Sequence, residues 1–324
     1  AVVADPPHRV GPVVGAVAGV QVRSADAAAD GPQEHLPAAG ETVLGSGFQM
    51  IPGGKGANQA CAAGRLSSRA VGTRMVGRVG YDVFADHLKA SLAAAGVDVA
   101  YVHATRSQPT GIALIWVDRN GQNSIIVASG ANHAIAASDV EGVRAAFRGA
   151  SYALFQLETP LAAVAAAMKT AREEGAKTIL DPAPACALPA DLLAQVDVLT
   201  PNESEAMILL GGDPAAAVVN PAETAAALRS LGPRAVILKL GSRGCYYDDG
   251  AETHSAPAFA VQAVDTTAAG DTFNGAFAVA MAEGQPVAEA LRFANAAAGL
   301  SVTRMGAQAS IPTRKETDEF LAAR

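Results

Sequence analysis

Beyond residue 150 the sequence alternates between two textures, and that alternation limits the fold more than any other feature. Short β-rich runs, YALFQLE (152–158), KTILDPAPA (177–185), DVLTP (197–201) and AVILKLGSRG (235–244), are separated by stretches of helix length. The helical stretches are PLAAVAAAMKTAREEG (160–175), with Gly175 at its end, NESEAMILLG (202–211) and PAETAAALRSLG (221–232). Two alanine-rich helices follow, from Ala269 to Glu283 and from Val287 to about Thr303. Strands alternating with helices of this length form βαβ units and hence a parallel sheet. One α/β domain spanning residues 1–324 is the expected architecture. In such sheets ligands gather at the carboxyl ends of strands, where loops enter helices.

The first half is less regular. GIALIWVD (111–118) and QNSIIVASG (122–130) flank RNG, whose Asn-Gly pair is a strong hairpin signal. This hairpin is expected to project as a small β appendage. Upstream, the glycine turn PGGKG leads into a helix of small residues, ANQACAAGRL. Residues 1–36 are rich in Ala, Gly, Val and Asp with poor periodicity; only VGPVVGAVAGVQV reads as a strand, and its glycines weaken it.

Half of the 324 residues are apolar, dominated by Ala and Val with few aromatics, which suits helices packed tightly on a sheet. The net charge is −7 and no run of Lys or Arg forms a basic stripe, so neither nucleic acid nor an anionic membrane is an expected partner. Any anionic substrate must then be held by local devices such as helix N-termini. Cys61, Cys186 and Cys245 lack metal-ligand spacing and fit buried thiols in a reducing cytoplasm, not a zinc site or a nucleophile. No apolar run approaches the ~20 residues of a membrane span. The N-terminus lacks the pattern of a signal peptide, and a cytoplasmic location is expected.

Four polar clusters interrupt this apolar text. In DTTAAGDTFNGAF (265–277), Ala268, Ala269 and Gly270 are small enough for backbone N–H groups to approach an anion, and a helix starting there adds its positive dipole end. Asp271 falls in the first turn. It reads either as a helix cap or as a general base taking a proton from an attacking hydroxyl beside a phosphate. GGKGANQA (53–60) is neither a Walker A loop nor a dinucleotide fingerprint; it is a tight turn whose Lys55 and Asn58 could donate to a polyhydroxylated ligand. In TPNESEA (200–206), Asn202 and Glu205 lie one helical turn apart, as a cap or as oxygen donors ordering a hydrated Mg²⁺. KLGSRG (239–244) is a strand end and glycine turn across which a nucleotide could lie.

Taken together and in this order, the motifs resemble the ribokinase group of the PfkB sugar-kinase family. The likeness runs roughly from Pro37 to Phe320 and shows in PAAGETVLG, GGKGANQA, TGIALIWVD, QLE, DPAPA, TPNESEA, LGSRG, VQAVDTTAAGDTFNGAF and VTRMGAQASIP. The resemblance implies a three-layer, Rossmann-like α/β fold, a mostly parallel sheet with helices on both faces. It also implies a small β-sheet lid, drawn from about 15–50 and 98–130, that covers the sugar and forms a homodimer contact. The implied reaction is ATP-dependent phosphorylation of the primary hydroxyl of D-ribose, with Asp271 as base and Ala268, Ala269 and Gly270 as anion hole. Gly54, Lys55, Gly56, Ala57, Asn58 and Glu158 match sugar-binding positions. Asn202, the segment Lys239, Leu240, Gly241, Ser242, Arg243 and Gly244, and Asn295 match nucleotide contacts. Glu205 matches the acid that orders Mg²⁺ through water. Asp265, Thr267, Ser301, Arg304, Gly306 and Ser310 match the ligands of an activating monovalent cation, usually K⁺.

One departure concerns the start. The family opens on a strand with Gly-Ser-x-Asn-x-Asp, whose Asn and Asp grip the sugar; here Gly15 is followed by AVAGVQVRSADAAADG. An ungapped count back from GETV puts Asp26 where the Asn belongs and Ala28 where the Asp belongs. Two readings stand: a divergent start in which Asp26 or Asp30 substitutes, or a frameshifted one, since a shifted frame in GC-rich DNA yields such text. Lost hydrogen bonds to sugar hydroxyls reduce discrimination by orders of magnitude. The rival functions are therefore a kinase for another small sugar, such as deoxyribose or fructose, and a non-catalytic sugar or nucleotide binder. A dinucleotide-dependent oxidoreductase lacks its fingerprint.

Overall fold

The computed structural model describes residues 9–14, 20–23, 38–42, 49–68, 71–117 and 123–324. In chain order the elements begin with β1 (Arg9–Val14), β2 (Val20–Arg23), β3 (Gln49–Ile51), α1 (Lys55–Leu66), β4 (Thr73–Val79), α2 (Val83–Ala94), β5 (Val97–Ala104), β6 (Ile112–Val117) and β7 (Asn123–Ala128). Then come α3 (Asp139–Gly142), β8 (Ala150–Phe155), α4 (Leu161–Glu173), β9 (Lys177–Leu180), α5 (Ala190–Leu193), β10 (Val198–Leu199), α6 (Glu203–Leu209) and α7 (Pro221–Arg229). The remainder is β11 (Ala235–Lys239), β12 (Cys245–Asp248), β13 (Thr253–Ala256), α8 (Ala269–Ala282), α9 (Val287–Ser301) and α10 (Arg314–Ala322).

The larger sheet runs β13-β12-β11-β10-β9-β8-β1-β4-β5. Every pair from β11 to β5 is parallel, and β12 and β13 close one edge antiparallel. Successive side chains of a strand point to opposite faces, so a strand covered on both sides is apolar throughout. Leu154, Ile179 and Ile237 face one helical layer with α1, α8 and α9. Their neighbours Phe155, Leu180 and Val236 face the other, with α4, α5, α6 and α7. The result is the three-layer α/β fold.

The smaller sheet runs β3-β2-β6-β7, with β2 parallel to β6 and the other pairs antiparallel. The expected hairpin is present as β6 and β7, although its RNG turn lies outside the described residues. Of the segments expected to supply lid strands, Val97–Ala104 instead pairs with β4 in the large sheet. It follows β4 and α2 directly, and a strand–helix–strand unit of that length places its second strand parallel to the first. The single strand read in VGPVVGAVAGVQV is two: β1 lies between β4 and β8, and β2 belongs to the small sheet. Gly15, Asp26, Ala28 and Asp30 lie outside the described residues. Among the described residues no helix is long and apolar enough to cross a membrane.

Helices α1 and α8 meet through small side chains. Ala57, Ala60, Ala62 and Ala63 of α1 are fully buried, as are Ala276, Ala278 and Ala280 of α8. At Gly275 even a methyl is excluded: a Cβ there would lie 2.6 Å from the Ala62 Cβ and 2.7 Å from the Gln59 carbonyl oxygen. In a free helix Gly→Ala stabilises by about 0.5–1 kcal/mol. Forcing an atom into a packed contact costs about 1–3 kcal/mol, so the clash decides the sign. Gly275→Ala is accordingly expected to lower the thermal unfolding midpoint by a few degrees in scanning calorimetry; an increase would show that α1 and α8 are not in the contact described.

Candidate active site

The polar clusters of the sequence converge at the carboxyl ends of the parallel strands. Gln156 and Glu158 follow β8, Asp181 follows β9, Asn202 follows β10, and Lys239 ends β11. Opposite them stand the N-termini of α1, with Lys55, Asn58 and Gln59, and of α8, with Asp271. Strand ends and helix starts meet here because each crossover must leave the sheet at this edge.

Asp271 is buried, yet its neighbours are polar. Asn58 Nδ2 donates to Oδ2 at 2.9 Å, and Gln59 Nε2 donates to Oδ1 at 3.1 Å. The Gln59 amide also donates to Asp181 Oδ2 at 2.9 Å, and its oxygen accepts from Gln156 Nε2 at 2.5 Å. Gln156 thereby fixes which end of the Gln59 amide faces the two carboxylates. Asp181 Oδ1 accepts from Lys239 Nζ at 3.0 Å. Glu158 Oε2 accepts from the Lys55 backbone N–H at 2.8 Å, tying the end of β8 to the start of α1.

Immediately before Asp271 the backbone is strained. Ala268, the N-cap of α8, has φ of 61° and is the only non-glycine residue with positive φ among the described residues. A left-handed alanine costs on the order of 1–2 kcal/mol, and such outliers persist where surrounding structure enforces them. Its conformation opens the first turn of α8 beside the carboxylate. Gly54, with φ of 87°, plays the geometrically similar part before α1, where the chain turns into the helix at Lys55. Gly56, Ala57 and Asn58 then lie buried in that first turn.

The charges perturb one another. Burial pushes Asp271 up; Lys55 and the bonds from Asn58 and Gln59 oppose this, nearby Asp181 adds to it, and the net shift is upward. Burial likewise raises Glu158 to about 7 against the pull of Lys55. Glu205 is raised, by burial first, with Lys239 opposing and Asp181 reinforcing. Burial alone would lower Lys55, but the four carboxylates of Asp271, Asp181, Glu158 and Glu205 outweigh it and keep the ammonium protonated above its ordinary range. A buried carboxylate with a raised pKa beside a fixed ammonium is suited to accepting a proton from an alcohol.

The other expected residues have partners of their own. Asn202 and Glu205 form a capping box on α6: the Asn202 side chain accepts from Glu205 N at 2.8 Å, and Glu205 Oε2 accepts from Asn202 N at 2.8 Å. Beyond β11, Leu240 is buried while Gly241, Ser242 and Arg243 are exposed, and Gly244 turns back at φ of 91°. Arg243 Nη2 is occupied by Glu203 and the Val218 carbonyl. Asn295 Nδ2 donates to the carbonyls of Ala256 and Pro257, so its amide nitrogen holds the backbone after β13. Asp265 joins two loops by accepting from Thr267 N at 2.9 Å and Gly306 N at 3.0 Å. Ser301 Oγ and Ser310 Oγ donate to the carbonyls of Ala298 and Ala307, and Arg304 pairs with Glu316. Cys61 and Cys245 are buried, which pushes their thiols up to about 11 and about 12, so neither is a thiolate at neutral pH.

Sequence reasoning passed over Gln59, Gln156 and Asp181. Each carried a signal. Gln59 sits four residues after Lys55 on the same helix face, Gln156 lies two residues before Glu158, and Asp181 is the first residue beyond a strand.

Comparisons with known proteins point to one family. Residues 22–314 match the model of the pfkB family carbohydrate kinases. A ribokinase of Haemophilus influenzae is 41% identical over 87% of this chain and 91% of its own length. A ribokinase of Bacillus subtilis is 41% identical over 88% of this chain and 93% of its own. Among solved structures, Arabidopsis thaliana ribokinase complexed with ribose and ATP superimposes with a TM-score of 0.84 at 36% identity, covering 96% of this chain and 99% of that one. Motifs, fold and relatives agree: the chain belongs to the pfkB family of carbohydrate kinases, among its ribokinase-like members.

Proposed function

We propose that this chain transfers the γ-phosphoryl of ATP to the primary hydroxyl of D-ribose, giving ribose 5-phosphate and ADP. The observation that carries the reading is the placement of Asp271: a buried carboxylate fixed by Asn58 and Gln59 in the first turn of a helix that starts from a left-handed alanine. The names of the relatives, and the ribose and ATP held by the Arabidopsis protein, support the substrates.

Asp271 accepts the hydroxyl proton as the sugar oxygen attacks. A new oxygen–phosphorus bond forms, the bond to the bridging oxygen of ATP breaks, and ADP leaves with the electron pair. Backbone N–H groups of Ala268, Ala269 and Gly270, with the helix dipole, stabilise charge on the transferring group. Gly54, Lys55, Gly56, Ala57, Asn58 and Glu158 hold the sugar. The nucleotide lies along Lys239 to Gly244, near Asn202 and Asn295.

Mg²⁺ fits this site through water. Among the described residues no three acidic, His or Cys side chains gather as a cage, and Mg²⁺ bound through few carboxylates and phosphates keeps most of its waters. Glu205, with Oε2 fixed by the capping box, would order those waters, and the ion would supply charge neutralisation at the phosphates. A monovalent cation would sit among Asp265, Thr267, Ser301, Arg304, Gly306 and Ser310, because Asp265 already joins these loops directly before the anion hole. The whole chain acts as one domain in this reading.

The small sheet serves as a lid and, through a second copy, as a dimer contact. Ile125, Ile126 and Val127 on β7 are consecutive and 53%, 67% and 65% exposed, so both faces of this strand present apolar surface. One face can cover a sugar while the other meets a partner.

Asp271→Asn should leave ATP binding within a few-fold by calorimetry and lower kcat at least 10³-fold; turnover near normal would remove Asp271 as base. A panel with ribose, deoxyribose and fructose, assayed by ADP release, tests the sugar. Glu158 supplies a pH test. Its folded pKa of about 7 lies above the ordinary 4.5, so the native state binds more protons between those values. The charged group therefore costs nothing below 4.5, and the cost grows as pH rises through about 7. Glu158→Gln is expected to raise Tm at pH 8 and to leave it unchanged at pH 4.5; a gain of equal size at both would contradict the assignment. Ile126→Lys should shift the sedimentation coefficient from dimer to monomer, and a monomeric unsubstituted chain would refute the lid contact.

A further inference from the structure

Strand β11 is apolar and buried from Ala235 to Leu238, then ends on a lysine. The Lys239 side chain is 13% exposed and its partner Asp181 only 3%. Desolvating such a pair offsets most of its attraction, and apolar replacements are often as stable or more so. Fold stability alone is thus a weak reason for the pair.

Its surroundings suggest a stronger one. Both oxygens of Asp181 are used, Oδ1 by Lys239 and Oδ2 by Gln59, which in turn holds Asp271. Lys239 has three N–H donors, and Asp181 takes one. A methyl built on Gly270 would lie 3.4 Å from Lys239 Nζ, so the ammonium abuts the first turn of α8 at the anion hole. Its charge also opposes the upward shift of Glu205.

We infer that Lys239 is a catalytic residue: held by Asp181, its ammonium contacts the transferring phosphoryl at the nest of Ala268, Ala269 and Gly270. This rests on the reaction proposed above and adds to it a cation supplied by the chain itself. Through Asp181 and Gln59 that cation is linked by hydrogen bonds to Asp271, so one network positions both the phosphate-side charge and the proton acceptor. Asp181 and Gln59 act as positioning residues.

The competing explanation is that Lys239 only neutralises Asp181, and a double substitution separates the two. Lys239→Met should lower kcat roughly 10²-fold, the range for loss of one preorganised contact to a developing charge, with ribose KM within about twofold. Lys239→Arg, keeping the charge, should recover part of the loss. Asp181→Asn combined with Lys239→Met removes the pair together, so Tm should return toward that of the unsubstituted chain while kcat stays low. A double variant whose kcat recovers with its Tm would overturn the inference, as would Lys239→Met with normal kcat. Sugar-independent ATP hydrolysis is a second readout and should fall by the same factor in both Met variants. Failure of the unsubstituted chain to phosphorylate ribose, with that hydrolysis intact, would fault the sugar assignment and leave the contribution of Lys239 measurable.

Discussion

The close approach of α1 and α8 is the constraint on which the rest depends. α1 carries Asn58 and Gln59 and α8 carries Asp271, and their hydrogen bonds span more than two hundred residues of sequence separation. Amide–carboxylate bonds near 3 Å tolerate little displacement. A leucine or valine at the contact would push the helices apart and weaken the donors to a buried carboxylate, whose loss costs several kcal/mol. The alanine-rich composition is therefore tied to the site: small residues let Asp271 and its two amide supports share one polar pocket between apolar layers.

That pocket holds more acid than base. Asp271, Asp181, Glu158 and Glu205 face Lys55 and Lys239, and burial raises three of these acids. In the proposed reaction ATP would bring further negative charge to the same place. On that proposal local donors must offset the repulsion, a part that the left-handed Ala268 and the helix start would play. Proton transfer to Asp271, as proposed, would remove one negative charge from the acid cluster at the moment the acceptor oxygen needs its lone pair. The electrostatic tension of the resting site and the direction of the proposed reaction have the same sign.

The sequence disclosed the second half of the fold well because strands such as Ala235–Leu238 are apolar on both faces and end at polar residues. Their periodicity is local, and so it is readable. The first half was harder. β1 and β2 belong to different sheets, but valine and glycine text with no period gives no sign of where one ends and the next begins. β5 was drawn toward the lid because a strand reveals its neighbours only through tertiary pairing. In the site, Asp271, Lys55 and Asn58 were visible as polar residues at helix starts. Asp181 and Lys239 lie 58 residues apart, and no local pattern announces that they pair.

Two pairs of readings that looked like alternatives in the sequence are compatible in the structure. Asn202 and Glu205 are caps, and capping is what fixes the Glu205 carboxylate. An uncapped glutamate in a first turn would sample several rotamers and lose the entropy of ordering whenever it had to hold a solvated ion in place. The capping box settles that orientation during folding. Asp271 likewise stands in the first turn of a helix, favourable for any carboxylate, yet its oxygens go to Asn58 and Gln59 of another helix and not to its own backbone. Local helix chemistry sets the place of each acid, and tertiary amide donors distinguish Asp271, the one proposed to react.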